Sequence, residues 1–247
     1  MFNNMKLTRE SWSQNDYSEF VEYLKTLADE KYKKFSDGLS PGTEFSFGIR
    51  IPVLRQISKD IAKGNYAEFI SCKIGLCREE IMLKGLVMAL VKCDFPQILT
   101  YIKEYADMIV NWETNDIVSF KGIKKHLPEM WAEMDYFIYN ENPWVVRYGF
   151  KMLMDFYLTD EYIDGVLKYV NSVNSDFYYV QMMQAWLLAT AAAKQRDKTF
   201  AFLAANDLNA KTQNTAIQKI RDSFRITAAD KELAKNLKKT LDNAVSE

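Results

Sequence analysis

Apolar residues return at helical spacing in segment after segment of this chain, and little interrupts them. Phe20, Tyr23, Leu24 and Leu27 form one such stripe, and Val53, Leu54, Ile57 and Ile61 another. Only 9 glycines and 5 prolines occur in 247 residues, too few for the turns of a many-stranded fold. No strand-like alternation persists. The pattern therefore specifies an all-α chain of helices with short connections, arranged in antiparallel-looking pairs. Periodicity alone does not separate an α-solenoid from an irregular bundle.

The boundaries follow from local signals. A first helix is predicted from Asp16 to about Lys34, stopped by Ser36–Asp37–Gly38, with a loop from Leu39 to Gly48. Pro52 suits the first turn of the next helix, and Gly64–Asn65 ends it. Tyr66 to Cys72 is short. Glu79 to Lys92 is strongly apolar and should be deeply buried. Asp94 followed by Pro96 opens another helix. Later helices are expected at Pro128–Phe137, from Asn142–Pro143 to Leu158, and from a Thr159–Asp160 cap to Tyr169. An Asp176 cap should open the long helix to Lys194. Thr199–Ala205, Thr212–Phe224 and a charged surface helix, Asp230–Ala244, complete the chain.

Composition excludes several chemistries. No apolar stretch is long enough to span a bilayer, and Met1 to Lys6 lacks the apolar core of a signal peptide, so an intracellular protein is expected. Cys72, Cys77 and Cys93 form no CxxC pair and read as reduced, mostly buried thiols. With His126 as the sole histidine, neither a metal centre nor a Ser-His or Cys-His triad can be assembled. His126 precedes Leu127–Pro128 and reads as structural. The net charge of −1 gives no basic footprint of the kind nucleic-acid proteins usually show. Charge can still be segregated by face, and Lys211 to Arg225 is locally basic.

One stretch combines unlike residues. Trp112 and Asp116 are four apart within Met108–Ile109–Val110 and Ile117–Val118, so a helix sets the indole beside the carboxylate. Asp is a poor residue inside a helix, and its presence there asks for a reason. Alone, the pair reads as structural. Arg147 and Trp186 follow at intervals close to the roughly 40-residue period of HEAT and armadillo repeats. Residues one period apart share a surface of successive repeats, so Trp112, Asp116, Arg147 and Trp186 are compatible with one concave wall.

Four segments carry a resemblance: Phe47–Gly48–Ile49–Arg50–Ile51–Pro52, Trp112-x-x-x-Asp116, Asn142-x-Trp144-x-x-Arg147, and Asp176–Tyr179 through Trp186 followed by Ala216–Ile220. In order and spacing, from about residue 14 to 227, the chain resembles the bacterial DNA alkylation repair glycosylases built from HEAT-like repeats, the AlkD family. The resemblance implies one repeat domain over residues 1–247, a right-handed superhelical α-solenoid with a concave groove. It implies hydrolysis of the N-glycosidic bond of cationic alkylated purines, such as 3-methyladenine and 7-methylguanine, in double-stranded DNA. It places Asp116 as the catalytic carboxylate, Arg147 as a DNA contact near the lesion, and Trp112 and Trp186 as the aromatic pair flanking the damaged nucleotide. No metal or cofactor is implied, no membrane partner, and a monomer in the bacterial cytoplasm, on the nucleoid when bound to DNA.

The residues suit that chemistry. Glycosidic cleavage builds positive charge on the sugar, which a carboxylate stabilises. A cationic purine needs no general acid, in keeping with a chain so poor in histidine. Indole faces attract cations by roughly 0.5–2 kcal/mol each. Lys219 and Arg221 in the basic segment are further candidates for DNA contact, as is Tyr179. Trp131 and Trp144 read as packing residues. The helix of Trp186, with Gln181, Met182 and Met183 before it and Leu187, Leu188 and Ala189 after it, carries no flanking cation for a phosphate. Two other readings therefore stay open: a DNA-binding homologue without glycosylase activity, and a helical-repeat scaffold that binds protein.

Overall fold

The computed structural model describes residues 5–40, 45–75 and 77–240. Among these residues it contains 15 α-helices, one 3-10 turn and no strand, as the scarcity of turn residues requires. It divides into two compact units, Met1–Met130 and Trp131–Glu247. None of the described helices is long and apolar enough to cross a membrane.

The first unit holds α1 (Gln14–Thr26), α2 (Glu30–Leu39), α3 (Ile51–Ile61), α4 (Tyr66–Ser71), α5 (Arg78–Leu90), α6 (Phe95–Met108), α7 (Trp112–Ile117) and a 3-10 turn, Lys121–Lys125. The division falls within α8 (Leu127–Ala132). The expected long first helix is two. Asp29 breaks it because its carboxylate caps α2, accepting from the Tyr32 amide at 2.9 Å, while its own amide donates to Gly48 at 3.1 Å. Ser36–Asp37–Gly38 does not stop α2. Ser36 and Asp37 find side-chain partners elsewhere rather than competing for the local backbone, and the helix runs on to Leu39. Of the expected loop, residues 41–44 lie outside the described residues. Pro52 and Pro96 stand in first turns, as predicted.

The core of this unit joins Trp12, Tyr17, Phe20 and Phe69, whose rings meet edge-on or tilted at 5.1–5.8 Å between centroids. Helix α5 runs through it and is buried on nearly all sides. It packs on α3, α4, α6 and α7. The close approach of α6 depends on Gly85, where a Cβ would stand 2.1 Å from the Tyr105 ring.

The second unit continues with α9 (Met134–Ile138), α10 (Pro143–Phe156), α11 (Ile163–Ser172), α12 (Tyr178–Lys194), α13 (Arg196–Ala204), α14 (Ala210–Asp222) and α15 (Ala228–Lys235). Alternate helices stack on one another: α10 on α12, α12 on α14, and α11 on α13. That layering is what stacked helix pairs produce. The expected Pro128–Phe137 helix is interrupted at Glu133. Thr159 does not cap α11: its carbonyl takes the amides of Tyr162 and Ile163 in a preceding turn. Nor does Asp176 cap α12, because Ser175 takes the Phe177 amide at 3.1 Å and the helix begins two residues after Asp176. The last helix is capped by Thr227 and ends at Lys235. Residues 241–244 of the expected helix lie outside the described residues.

Candidate active site

In the first unit Trp112 and Asp116 line one cavity of about 320 Å³, with Tyr32, Phe35 and Leu39 of α2 opposite. Both side chains are half-buried. The one-turn spacing read from the sequence thus places indole and carboxylate on one wall. Asp116 is not mid-helix, however. The chain leaves helical geometry at Ile109 and Val110, and a new six-residue helix starts at Trp112, so Asp116 occupies its last turn.

A helix this short has little stability of its own, since isolated helices below about 12–15 residues are marginal. Its neighbours hold α7 in place. Asn111 caps it, accepting from the Thr114 amide at 2.9 Å, and the Thr114 hydroxyl accepts from the Asn111 amide at 3.2 Å. The Tyr105 hydroxyl donates to the Thr114 carbonyl. The Trp112 indole N–H donates to the Leu39 carbonyl at 3.2 Å, fixing the ring against the end of α2.

Glu113 makes the strongest tie. One carboxylate oxygen accepts from the Ser36 hydroxyl at 3.0 Å, and the other takes the Arg78 guanidinium. Burial raises the Glu113 pKa above its ordinary value; Arg78 and Ser36 work against that rise. Arg78 is 2% exposed and stands 3.6 Å from Asp37 and 3.9 Å from Glu79. For Asp37, burial pushes the pKa up, but Lys33 and Ser46 outweigh it and hold the carboxyl below the usual range.

Sequence reasoning missed Arg78, Glu79 and Glu113 as site residues. The available signal was Arg78–Glu79–Glu80, three charges opening the most buried helix of the first unit. All three are buried and each has a separate task. Arg78 reaches Glu113, Glu79 accepts the amides of Phe47, Gly48 and Ile49 at 2.8–3.1 Å, and Glu80 accepts from the Tyr17 hydroxyl at 3.0 Å. The Cys77 thiol donates to Glu79 at 3.2 Å, and burial together with that carboxylate pushes its pKa up to about 12. Cys77 is therefore no thiolate nucleophile. Cys72 is buried as well, as expected. His126 lies between the 3-10 turn and α8, its ring 5.5 Å from Phe95 and its Nδ1 3.3 Å from Glu129.

The cavity lining carries three carboxylates, Glu79, Glu113 and Asp116, against one guanidinium. With Tyr32, Phe35 and Trp112 beside them, it suits an organic cation. It does not by itself supply the cations that a DNA backbone needs.

The second unit places the remaining predicted residues. Arg147 is 3% exposed, so it is no solvated helix-face charge. Its NH1 donates to the Tyr179 carbonyl at 2.7 Å, and its guanidinium lies 6.0 Å from the Tyr179 ring. Tyr179 in turn packs on Trp144 at 5.0 Å. Trp144 also meets Phe177 at 5.1 Å, while Trp131 packs among Tyr157, Tyr162 and Tyr169, so both act in packing as expected. Trp186 is different. Helix α12 is buried apart from Tyr178, Tyr179, Met182, Trp186 and its last two residues, Ala193 and Lys194, and the indole is 40% exposed. Tyr178, Met182 and Trp186 stand four residues apart and form one open stripe on the helix. Lys219 and Arg221 stand half-buried in the last turn of α14.

Among curated proteins no sequence matches the chain. The sequence profile of the DNA alkylation repair enzymes matches residues 20–220, which include α7, Arg147, Trp186 and the whole lining of the cavity. On that match, the chain belongs to the family of DNA alkylation repair enzymes.

Proposed function

We propose that this chain repairs alkylated DNA as a glycosylase, hydrolysing the N-glycosidic bond of cationic alkylpurines such as 3-methyladenine and 7-methylguanine. The observation that carries this reading is the shared cavity of Trp112 and Asp116, acidic and aromatic, in a member of this family. In the reaction the bond from C1′ to the purine nitrogen breaks, and its electron pair neutralises the cationic base. Water adds to C1′ and loses a proton. Asp116 stabilises the positive charge that develops on the sugar and orients that water. Trp112 offers its ring face to the cation. The base leaves neutral, so no acid and no cofactor are required.

Arg147 and Trp186 enter this reading through the family correspondence, as DNA contacts of the second unit in a superhelical repeat protein that acts as a monomer. Trp186 has the exposure such a contact needs, and Arg147 also holds the adjoining segment, Tyr178 and Tyr179. Phosphate contacts are assigned to exposed cations outside the acidic cavity. Lys121, Lys124 and Lys125, exposed on the 3-10 turn that follows α7, are the nearest group in sequence. Lys219 and Arg221 are candidates in the second unit. The experiment is release of methylated purines from methylated duplex DNA by the wild type and by Asp116→Asn.

A further inference from the structure

Phe47–Gly48–Ile49 has no part in the chemistry above, yet it is built with unusual care. Gly48 adopts φ +80°, a region that side chains avoid. A Cβ there would stand 2.5 Å from Lys33 Cβ and 2.9 Å from the Asp29 carbonyl. This turn directs three successive amides at one carboxylate, that of Glu79, which is 1% exposed. Beside Glu79 sits Arg78, which holds Glu113. Glu113 lies on α7, between Trp112 and the turn that ends in Asp116.

We propose that Arg78 and Glu113 are positioning residues: anchored through Glu79 on the Phe47–Ile49 main chain, they set α7 so that Trp112 and Asp116 face the cavity. This rests on the reading of that cavity as the glycosylase site. Both Glu113 oxygens accept hydrogen bonds, so the group is engaged as an anchor and not as a proton donor. Without the anchor, α7 keeps its cap and its ties to Tyr105 and Leu39 but loses the Arg78 ion pair and the Ser36 hydrogen bond. The relay also gives Arg78, Glu79 and Glu113 a joint reason to be charged inside an apolar unit, where apolar residues would pack at least as well.

The test uses the full-length chain with Glu113→Gln, Ser36→Ala, Arg78→Lys and Arg78→Met. Two quantities are read for each. One is acrylamide quenching of Trp112 emission, isolated by subtracting the same variant carrying Trp112→Phe. The other is the single-turnover rate of 7-methylguanine release from methylated duplex, with the Kd for that duplex. For Glu113→Gln we expect more efficient quenching and a release rate lower by about tenfold or more, since a displacement of roughly 1 Å at a reacting group costs up to about 10². Kd should stay within about twofold, because phosphate contacts dominate affinity. Arg78→Lys should retain more activity than Arg78→Met, and Ser36→Ala should fall between wild type and Glu113→Gln. If Arg78→Met does not fold, the Glu113 and Ser36 variants carry the test.

Unchanged Trp112 quenching in Glu113→Gln overturns the relay, as does increased quenching with an unchanged release rate. A wild type that binds methylated DNA but releases no base refutes the glycosylase reading. The quenching result then decides whether Arg78 and Glu113 set α7.

Discussion

The guanidinium of Arg147 donates to the main-chain oxygen of Tyr179 at 2.7 Å, joining α10 to the first turn of α12. The arginine singled out in the sequence as a DNA contact thus shapes the surface that carries Tyr178, Tyr179 and Trp186. A charge-assisted bond of this kind contributes about 1.5–3 kcal/mol, and the buried site makes its loss costly. Arg147→Met should therefore lower the urea unfolding free energy by about that amount. A loss below about 0.5 kcal/mol would show that the contact holds nothing, because even an ordinary neutral hydrogen bond reaches that level.

Gly85 lets Tyr105 lie flat against α5 and extend its hydroxyl to Thr114 in α7. Gly85→Ala places a methyl where the ring already stands. Overpacking of this type costs about 1–3 kcal/mol, more than the helix propensity that alanine restores. We expect a lower Tm and a slower release rate together, since the displaced ring is one of the ties on α7. A Tm equal to or above that of the wild type would contradict the packing described.

Much of this architecture was legible in advance. Apolar stripes and Pro52, Pro96 and Pro143 fixed most helices, and the four-residue spacing of Trp112 and Asp116 put them on one wall. The misses share a cause. Asp29, Ser36–Asp37, Thr159 and Asp176 are all cap or stop residues by local chemistry, and tertiary partners decide which role each takes. Glu113 was invisible for the same reason: its meaning depends on Arg78 and Ser36, which lie far away in sequence. The buried Arg147 could not be read either, because nothing local to α10 announces the Tyr179 carbonyl.

The exposed lysines of the 3-10 turn give a prediction about affinity separate from chemistry. The slope of log K against log salt changes by roughly 0.9 per phosphate contact on B-form DNA. Replacing Lys121, Lys124 and Lys125 together by serine should reduce that slope by up to about 2.7 on the same relation. The single-turnover rate at saturating protein should remain close to that of the wild type. An unchanged slope would remove these lysines from the DNA-contacting surface.

In the second unit Thr227 caps α15 by accepting from the Asp230 amide, and the Asp230 carboxylate accepts from the Thr227 hydroxyl at 2.8 Å and pairs with Arg196 at 2.5 Å. Arg196 first, and then Thr227, hold its carboxyl below the ordinary value of 3.8. A depressed carboxyl stabilises the folded state above the unfolded pKa, and this stabilisation fades as pH falls through the folded one. Asp230→Asn should therefore narrow its stability deficit against wild type as pH drops below 3.8. A deficit that stays constant over that range would show that the charge of Asp230 plays no part.

In the proposed function Asp116, facing the cavity beside Trp112, performs the excision. The most direct measurement is release of 3-methyladenine and 7-methylguanine from methylated duplex DNA, with folding of each protein checked by circular dichroism. We expect release by the wild type and a loss of at least about 10²-fold in Asp116→Asn, the scale of removing one charge-stabilising group. Folded wild type that releases neither base, or an Asp116→Asn variant as fast as wild type, would contradict it.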